Sequence, residues 1–196
     1  MKKTVVFFDF FGVISTEIAP IWFRRYFNDA QADCIKSDIV AKADLGLLTE
    51  EEMFRQISLR MNIPAEQIAQ EWYDLVTINT PLVAFIRQLK ETYPVYLLSN
   101  AIGPFLHRIL KEHELYPLFD DIFISSEIGI SKPDRAFFDH VLAALRLSAE
   151  QVVMIDDNPS NLKGAALAGI DGIHFFDNPS FKTEFDRYYN TATLIL

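Results

Sequence analysis

Five short runs rich in β-branched and aromatic residues punctuate the chain: TVVFF (4–8), VYLL (95–98), DIFIS (121–125), VVMI (152–155) and GIHFF (172–176). Their apolar positions run on rather than alternate, the pattern of strands covered on both faces of a parallel sheet. Between the later runs the apolar positions recur at helical spacing. Leu82, Phe85, Ile86 and Leu89 form one stripe, behind Thr80 as N-cap and Pro81 in the first turn. Phe105, Leu106, Ile109 and Leu110 mark a second helix, and Phe137, Phe138, Val141, Leu142 and Leu145 a third. Asn158-Pro159 opens a fourth, which Gly169 ends.

The stretch between the first two runs follows another rule. Residues 16–80 carry helical periodicity and no convincing strand. TEEE at 49–52 is a capping box, Thr49 as cap with Glu52 three residues on. Pro64 starts a further helix that carries Ile68, Trp72, Leu75 and Val76. The pattern predicts an α/β fold: a doubly wound parallel sheet from residues 1–15 and 81–196, with 16–80 inserted as an all-helical cap. Trp22, Phe23, Trp72 and Tyr73 are expected to build the core of that cap or its seam with the sheet domain.

Composition narrows the partners. With 196 residues, half of them hydrophobic, the chain has material for one domain and a small insertion. A formal net charge of -9 and the lack of any basic run beyond Lys2-Lys3 and Arg24-Arg25 exclude nucleic acid and anionic membrane surfaces as expected partners. Cys34 is the single cysteine, so no internal disulfide is available and a reducing, cytoplasmic setting is expected. The start MKKTVVFF imitates a secretory leader, but Asp9 interrupts its apolar stretch and no small-residue cleavage site follows.

Chemistry gathers at the strand ends. Asp9, Ser99-Asn100, Lys132 and Asp156-Asp157 all fall at or just past the end of a predicted strand or in a loop nearby, where parallel sheets place their ligand sites. Singly, each has a plain structural use: Ser99-Asn100 as a helix cap, Lys132 as a surface lysine, Asp157-Asn158 as a turn. Together they pose an electrostatic problem. Two like charges about 4 Å apart repel by roughly 4 kcal/mol at an effective dielectric near 20, and one lysine cannot neutralise three carboxylates. A hard divalent cation with oxygen ligands can, and magnesium is the usual choice where a phosphate completes the shell.

The ordered set DFFGV, LLSN, SKPD and IDDNPSN resembles the four motifs of the haloacid dehalogenase-like hydrolase superfamily, over about the whole chain. The helical insert falls where the small-cap members of that superfamily carry theirs. The resemblance implies a phosphatase that acts on a small phosphorylated metabolite through an aspartyl-phosphate. Carried over by motif, Asp9 is the nucleophile. Ser99 and the Asn100 backbone hold the phosphate oxygens, and Lys132 neutralises charge between phosphate and nucleophile. Asp9, Asp156 and the Phe11 backbone carbonyl ligate magnesium, with Asp157 acting through a water.

Phe11 departs from the commonest form of the first motif, which has a second aspartate there as general acid. A phenyl ring transfers no proton, a service typically worth 10²–10⁴-fold. Three readings follow. One is a magnesium-dependent phosphatase that favours good leaving groups, such as those of certain sugar phosphates. Another is a 2-haloacid dehalogenase, whose relatives carry an aromatic residue at this place. Against it stand Asp156-Asp157, and Val40 where a cap arginine is expected. The third is a non-catalytic protein that keeps the phosphate and metal pocket.

Overall fold

The computed structural model describes residues 3–189 and 194–196. In chain order its elements are β1 (Val5–Phe8), α1 (Ala19–Tyr26), α2 (Asp29–Ile35), a π-helical turn (Lys36–Val40), α3 (Ala41–Asp44), α4 (Glu50–Met61), α5 (Ala65–Asp74), α6 (Thr80–Leu89), β2 (Val95–Ser99), α7 (Gly103–Glu112), β3 (Asp121–Ile124), α8 (Ser125–Ile128), α9 (Arg135–Leu145), β4 (Val152–Asp156), α10 (Pro159–Leu167), β5 (Asp171–His174) and α11 (Asn178–Phe185). The strands make one parallel sheet in the order β3-β2-β1-β4-β5.

β1 lies at the centre, with Val6 opposite Val95 on one side and Val5 opposite Val152 on the other. The chain winds outward from β1 through β2 to β3, then crosses back to β4 and β5. That reversal opens a crevice beyond the carboxyl ends of β1 and β4.

β1 and β4 are buried on both faces, so alternate residues of one strand enter different cores. Val5 and Phe7 pack with Leu98, Met154, Phe137, Phe138 and Val141, beneath α9 and α10. Val6 and Phe8 join Leu97 and Ile155 in the larger cluster, with Phe85, Leu106 and Phe181 from α6, α7 and α11. Trp22, Phe23, Met53, Ile57 and Ile68 belong to that same cluster, so the helices between β1 and α6 share a continuous core with one sheet face. Trp72 and Phe105 meet edge to face across this contact, their ring centroids 6.4 Å apart. Burying one such ring is worth about 1.5–3 kcal/mol.

Helix ends follow local chemistry. Thr49 and Glu52 close the capping box of α4, each side chain accepting from the other's backbone N–H. Pro64 precedes α5. The cap of α6 is Asn79, not Thr80: the Asn79 amide oxygen accepts from the Leu82 N–H, which places Thr80 and Pro81 inside the first turn. Asparagine and threonine both cap well, and the proline is accommodated in either frame. Run boundaries also shift by a residue or two: β1 begins after Thr4, β2 and β4 take in Ser99 and Asp156, and β5 takes in Asp171. Ser125 begins α8 instead of ending β3, and β5 stops at His174, before Phe175 and Phe176.

Candidate active site

The loop after β1 is wound around one carbonyl. Phe10 O accepts the N–H groups of Ile14 and Ser15 at 2.8 and 2.9 Å, while the Gly12 N–H donates to Ser15 O at 2.7 Å. Gly12 holds φ +83, in the left-handed region that only glycine enters at little cost. A Cβ at Gly12 would stand 2.3 Å from the Asp157 carboxylate. Glycine is therefore required twice over, by its backbone and by the space Asp157 takes.

Asp9, Ser99 and Asp156 come from three adjacent strands. Ser99 and Asp156 are the last residues of β2 and β4, and Asp9 follows β1 directly, its N–H donating to Ile155 O at 2.9 Å. Lys132 arrives from the loop between α8 and α9. Asn100 fixes it by a reciprocal pair: the Lys132 N–H donates to Asn100 Oδ1 at 2.9 Å, and Asn100 Nδ2 donates to the Lys132 carbonyl at 2.7 Å. On the other side the Pro133 carbonyl lies 2.1 Å from where a Cβ of Gly164 would be, so α10 packs directly on this loop.

Lys132 is buried, and its Nζ lies 2.9 Å from Asp9 Oδ2 and 2.7 Å from Asp156 Oδ2. Asp9 Oδ1 accepts from the Phe10 N–H at 2.7 Å. Asp156 Oδ1 accepts from the Asn158 N–H at 2.9 Å, and Asn161 Nδ2 donates to both Asp156 oxygens at 3.0 and 3.1 Å. Asn161 is itself buried and holds the carboxylate of Asp156 deep in the fold. Ser99 Oγ is buried and has no hydrogen-bond partner among the described residues. A group of this kind costs about 1–3 kcal/mol unless a ligand satisfies it.

Carboxylate oxygens of Asp9, Asp156 and Asp157 lie within 4.8 Å of one another. Desolvation, then the charge of Asp156, drives the Asp9 carboxyl well above its ordinary range, with Lys132 opposing. Asp157 moves upward through burial and the same neighbour. Burial works against the charge of Lys132, but Asp156 and Asp9 outweigh it, so the ammonium is retained. Three carboxylates that share one ammonium keep a surplus of negative charge, and their oxygen-only donor set fits a hard divalent cation.

The site opens into a cavity of about 320 Å³. Its floor is Asp9, Lys132, Asp157 and Asn100, and Phe11, Ile18, Val40, Trp72 and Phe105 form much of the wall. Glu17, Lys36 and Asp44 line it too, and nothing in their spacing along the sequence marked them. Burial and then Glu17 raise the Asp44 carboxyl to about 7, with Lys36 opposing. Glu17 is raised by burial first and by Asp157 next. Arg24 and Arg25 are exposed and do not line this cavity.

Residues 3–169 match the haloacid dehalogenase-like hydrolase family. The chain belongs to that family. A sesquiterpene phosphatase of Aspergillus oryzae is 28% identical over 148 residues, 74% of this chain and 76% of the relative. A D-ribitol-5-phosphate phosphatase of Bacteroides thetaiotaomicron is 25% identical over 179 residues, 83% and 86% of the two chains. For further curated relatives the match spans 28% to 55% of their own lengths. Among solved structures, a family member from Bacteroides thetaiotaomicron in complex with magnesium and inorganic phosphate superimposes with a TM-score of 0.74 at 24% identity, covering 88% of this chain and 93% of that one. This family of hydrolases therefore includes phosphatases similar to the chain over most of its length, and a structural neighbour that holds magnesium. Among the described residues no helix is long and apolar enough to cross a membrane.

Proposed function

We propose that the protein is a magnesium-dependent phosphatase that acts on a small phosphorylated metabolite through an aspartyl-phosphate on Asp9. The observation that carries this reading is the Lys132 ammonium held between Asp9 and Asp156, with Asp157 beside them, at the carboxyl ends of adjacent strands. A metal and phosphate chemistry gives that arrangement a use. Simple structural stability does not, because buried like charges cost more than apolar packing would.

Asp9 attacks phosphorus in line. Lys132 and the unpartnered Ser99 hydroxyl, with the Asn100 backbone, take the non-bridging oxygens, where charge builds up in the transition state. Asp9, Asp156 and the Phe11 carbonyl, with Asp157 through a water, would hold magnesium, which supplies positive charge to the phosphate. Residues 16–80 act as the cap that closes over the substrate, and the 320 Å³ cavity takes its non-phosphate body. A sugar phosphate fits such a volume, and the phosphatase relatives support a small organic substrate. The expected setting is the cytoplasm.

The dehalogenase reading draws on Phe11 alone. Lys36 and Lys132 are the cations among the described residues of the cavity wall, and no arginine is there to receive a haloacid carboxylate. A screen of phosphorylated metabolites with and without magnesium, run beside halide release from 2-chloropropionate, tests the assignment. Magnesium-dependent phosphate release is expected. Halide release alone would replace the reading with dehalogenation, and inactivity in both arms would favour a binding protein.

A further inference from the structure

The Phe11 side chain is committed to packing: it stacks on Phe105 at 6.4 Å and meets Phe10 edge to face at 5.0 Å. Another group must handle the proton if ordinary esters are to be cleaved. The same loop brings a carboxyl into the cavity. Ser15 O is bonded to the Gly12 N–H, beside Asp157, and Glu17 follows two residues later. Thr16 is pinned between them and the returning chain, donating its N–H to Thr77 O at 3.1 Å and accepting from the Thr77 N–H at 3.1 Å. Glu17 lines the same cavity as Asp9 and Phe11.

Two carboxyls outside the metal cluster share this cavity, and electrostatics separates them. Glu17 feels Asp157, Lys36, Lys132 and Asp156. Asp44 is raised first by its burial and then by Glu17, with Lys36 opposing. Glu17 belongs to the loop that leads on from Asp9 and winds past Asp157, whereas Asp44 ends α3 on the far side of α1 and α2 in the chain. Burial and the neighbouring negative charge favour its protonated form, which suits a donor.

We propose that Glu17 is the proton donor to the leaving oxygen, and the base for the water that follows, in the position Phe11 leaves without an acid. The inference rests on the aspartyl-phosphate reading above. An Asp9 oxygen bonds to phosphorus as the bond from phosphorus to the leaving oxygen breaks, and that oxygen departs as an alcohol with the Glu17 proton. Glu17, now a carboxylate, takes a proton from water as the water oxygen bonds to phosphorus. The bond from phosphorus to Asp9 breaks, inorganic phosphate leaves, and Glu17 is an acid again.

The test compares p-nitrophenyl phosphate with phenyl and n-butyl phosphate, in magnesium, for the unchanged protein and Glu17→Gln. In the unchanged protein kcat/KM should vary weakly with leaving-group basicity. In Glu17→Gln the loss should grow toward the alkyl ester and approach the 10²–10⁴-fold that acid catalysis supplies. p-Nitrophenol release by the variant should begin with a burst of one equivalent per Asp9, because the first step outpaces the unaided hydrolysis. An equal loss on all three esters, or no loss, overturns the proposal. So does a steep leaving-group dependence in the unchanged protein, a result independent of how the variant folds. No turnover of any ester by the unchanged protein would overturn the phosphatase reading itself, and this inference with it.

Discussion

Asn100 and Lys132, thirty-two residues apart, exchange two hydrogen bonds between the end of β2 and the loop before α9. The pair anchors the backbone from which the Lys132 side chain reaches Asp9 and Asp156. An aspartate at position 100 keeps one acceptor and loses the donor. Asn100→Asp should therefore lower stability by about 1–3 kcal/mol, the cost of an unsatisfied buried carbonyl. Turnover should fall as Lys132 loosens. Urea unfolding and steady-state kinetics measure both, and an unchanged variant would show that Lys132 is held by its ion pairs alone.

Asp9→Asn should abolish turnover while leaving the fold intact, since an amide is a poor nucleophile of almost the same shape. The amide oxygen can still accept from the Phe10 N–H, and removing one of three clustered charges relieves repulsion. The melting temperature of the metal-free protein should stay level or rise. Residual steady turnover in this variant would exclude Asp9 as the covalent group.

Magnesium should bind in titration calorimetry with inorganic phosphate present, and Asp156→Ala should remove that binding. Alanine also strips Asn161 and the Asn158 N–H of their acceptor and leaves Lys132 with Asp9 alone, so this variant should melt lower as well. Undiminished binding would move the ion elsewhere.

Gly12→Ala should be among the most damaging single-methyl changes in the protein. A Cβ there meets the Asp157 carboxylate at 2.3 Å, and the backbone at φ +83 disfavours any side chain by about 1 kcal/mol or more. Loss of magnesium affinity together with lowered stability is expected. An effect on stability alone would mean that Asp157 has no part in the ion site.

Asp44 gives the fold a pH dependence. Its carboxyl titrates at about 7 in the fold, against an ordinary value of 3.8 in the open chain. Between those values the folded state holds a proton that the unfolded state has lost, so stability declines as pH rises from about 4 to 7 and levels off above. The full span of that shift corresponds to about 4 kcal/mol as an upper bound. Burial sets most of the shift, Glu17 adds to it and Lys36 opposes it. Asp44→Asn should flatten this part of the profile, and its advantage over the unchanged protein should be greatest at pH 8. Parallel profiles for the two proteins would show that Asp44 is solvated enough to escape the shift.

Much of this arrangement was legible before any coordinates. Continuous apolar runs announced the five strands because a parallel sheet covered on both sides tolerates no polar face, and Val5 and Val6 do enter opposite cores. The clustering of Asp9, Asp156 and Asp157 followed from their places at strand ends. Glu17, Asp44 and Lys36 could not be read, because what joins them is a cavity formed where helices from one segment meet loops of another. The cap of α6 lies one residue from the expected one for a smaller reason: Asn79 and Thr80 are both good caps, and the tertiary bonds of Asn79 to Asn178, Val13 O and Ile14 O distinguish them.

Ser15 bridges Ile78 in antiparallel fashion, and the Asn79 N–H reaches back to Ile14 O. Seen from the sheet, the sixty or so residues between them are a single closed loop whose two ends touch. Doubling the length of such a loop adds only about 0.6 kcal/mol to the entropy of closing it. The pairing of β1 with β2 and β4 is thus nearly indifferent to how long the loop is, while Trp22, Met53, Ile57 and Ile68 within it share a core with one sheet face. Length can therefore be added far from the joint at little cost, whereas Glu17, two residues inside it, keeps its place in the cavity it shares with Asp9.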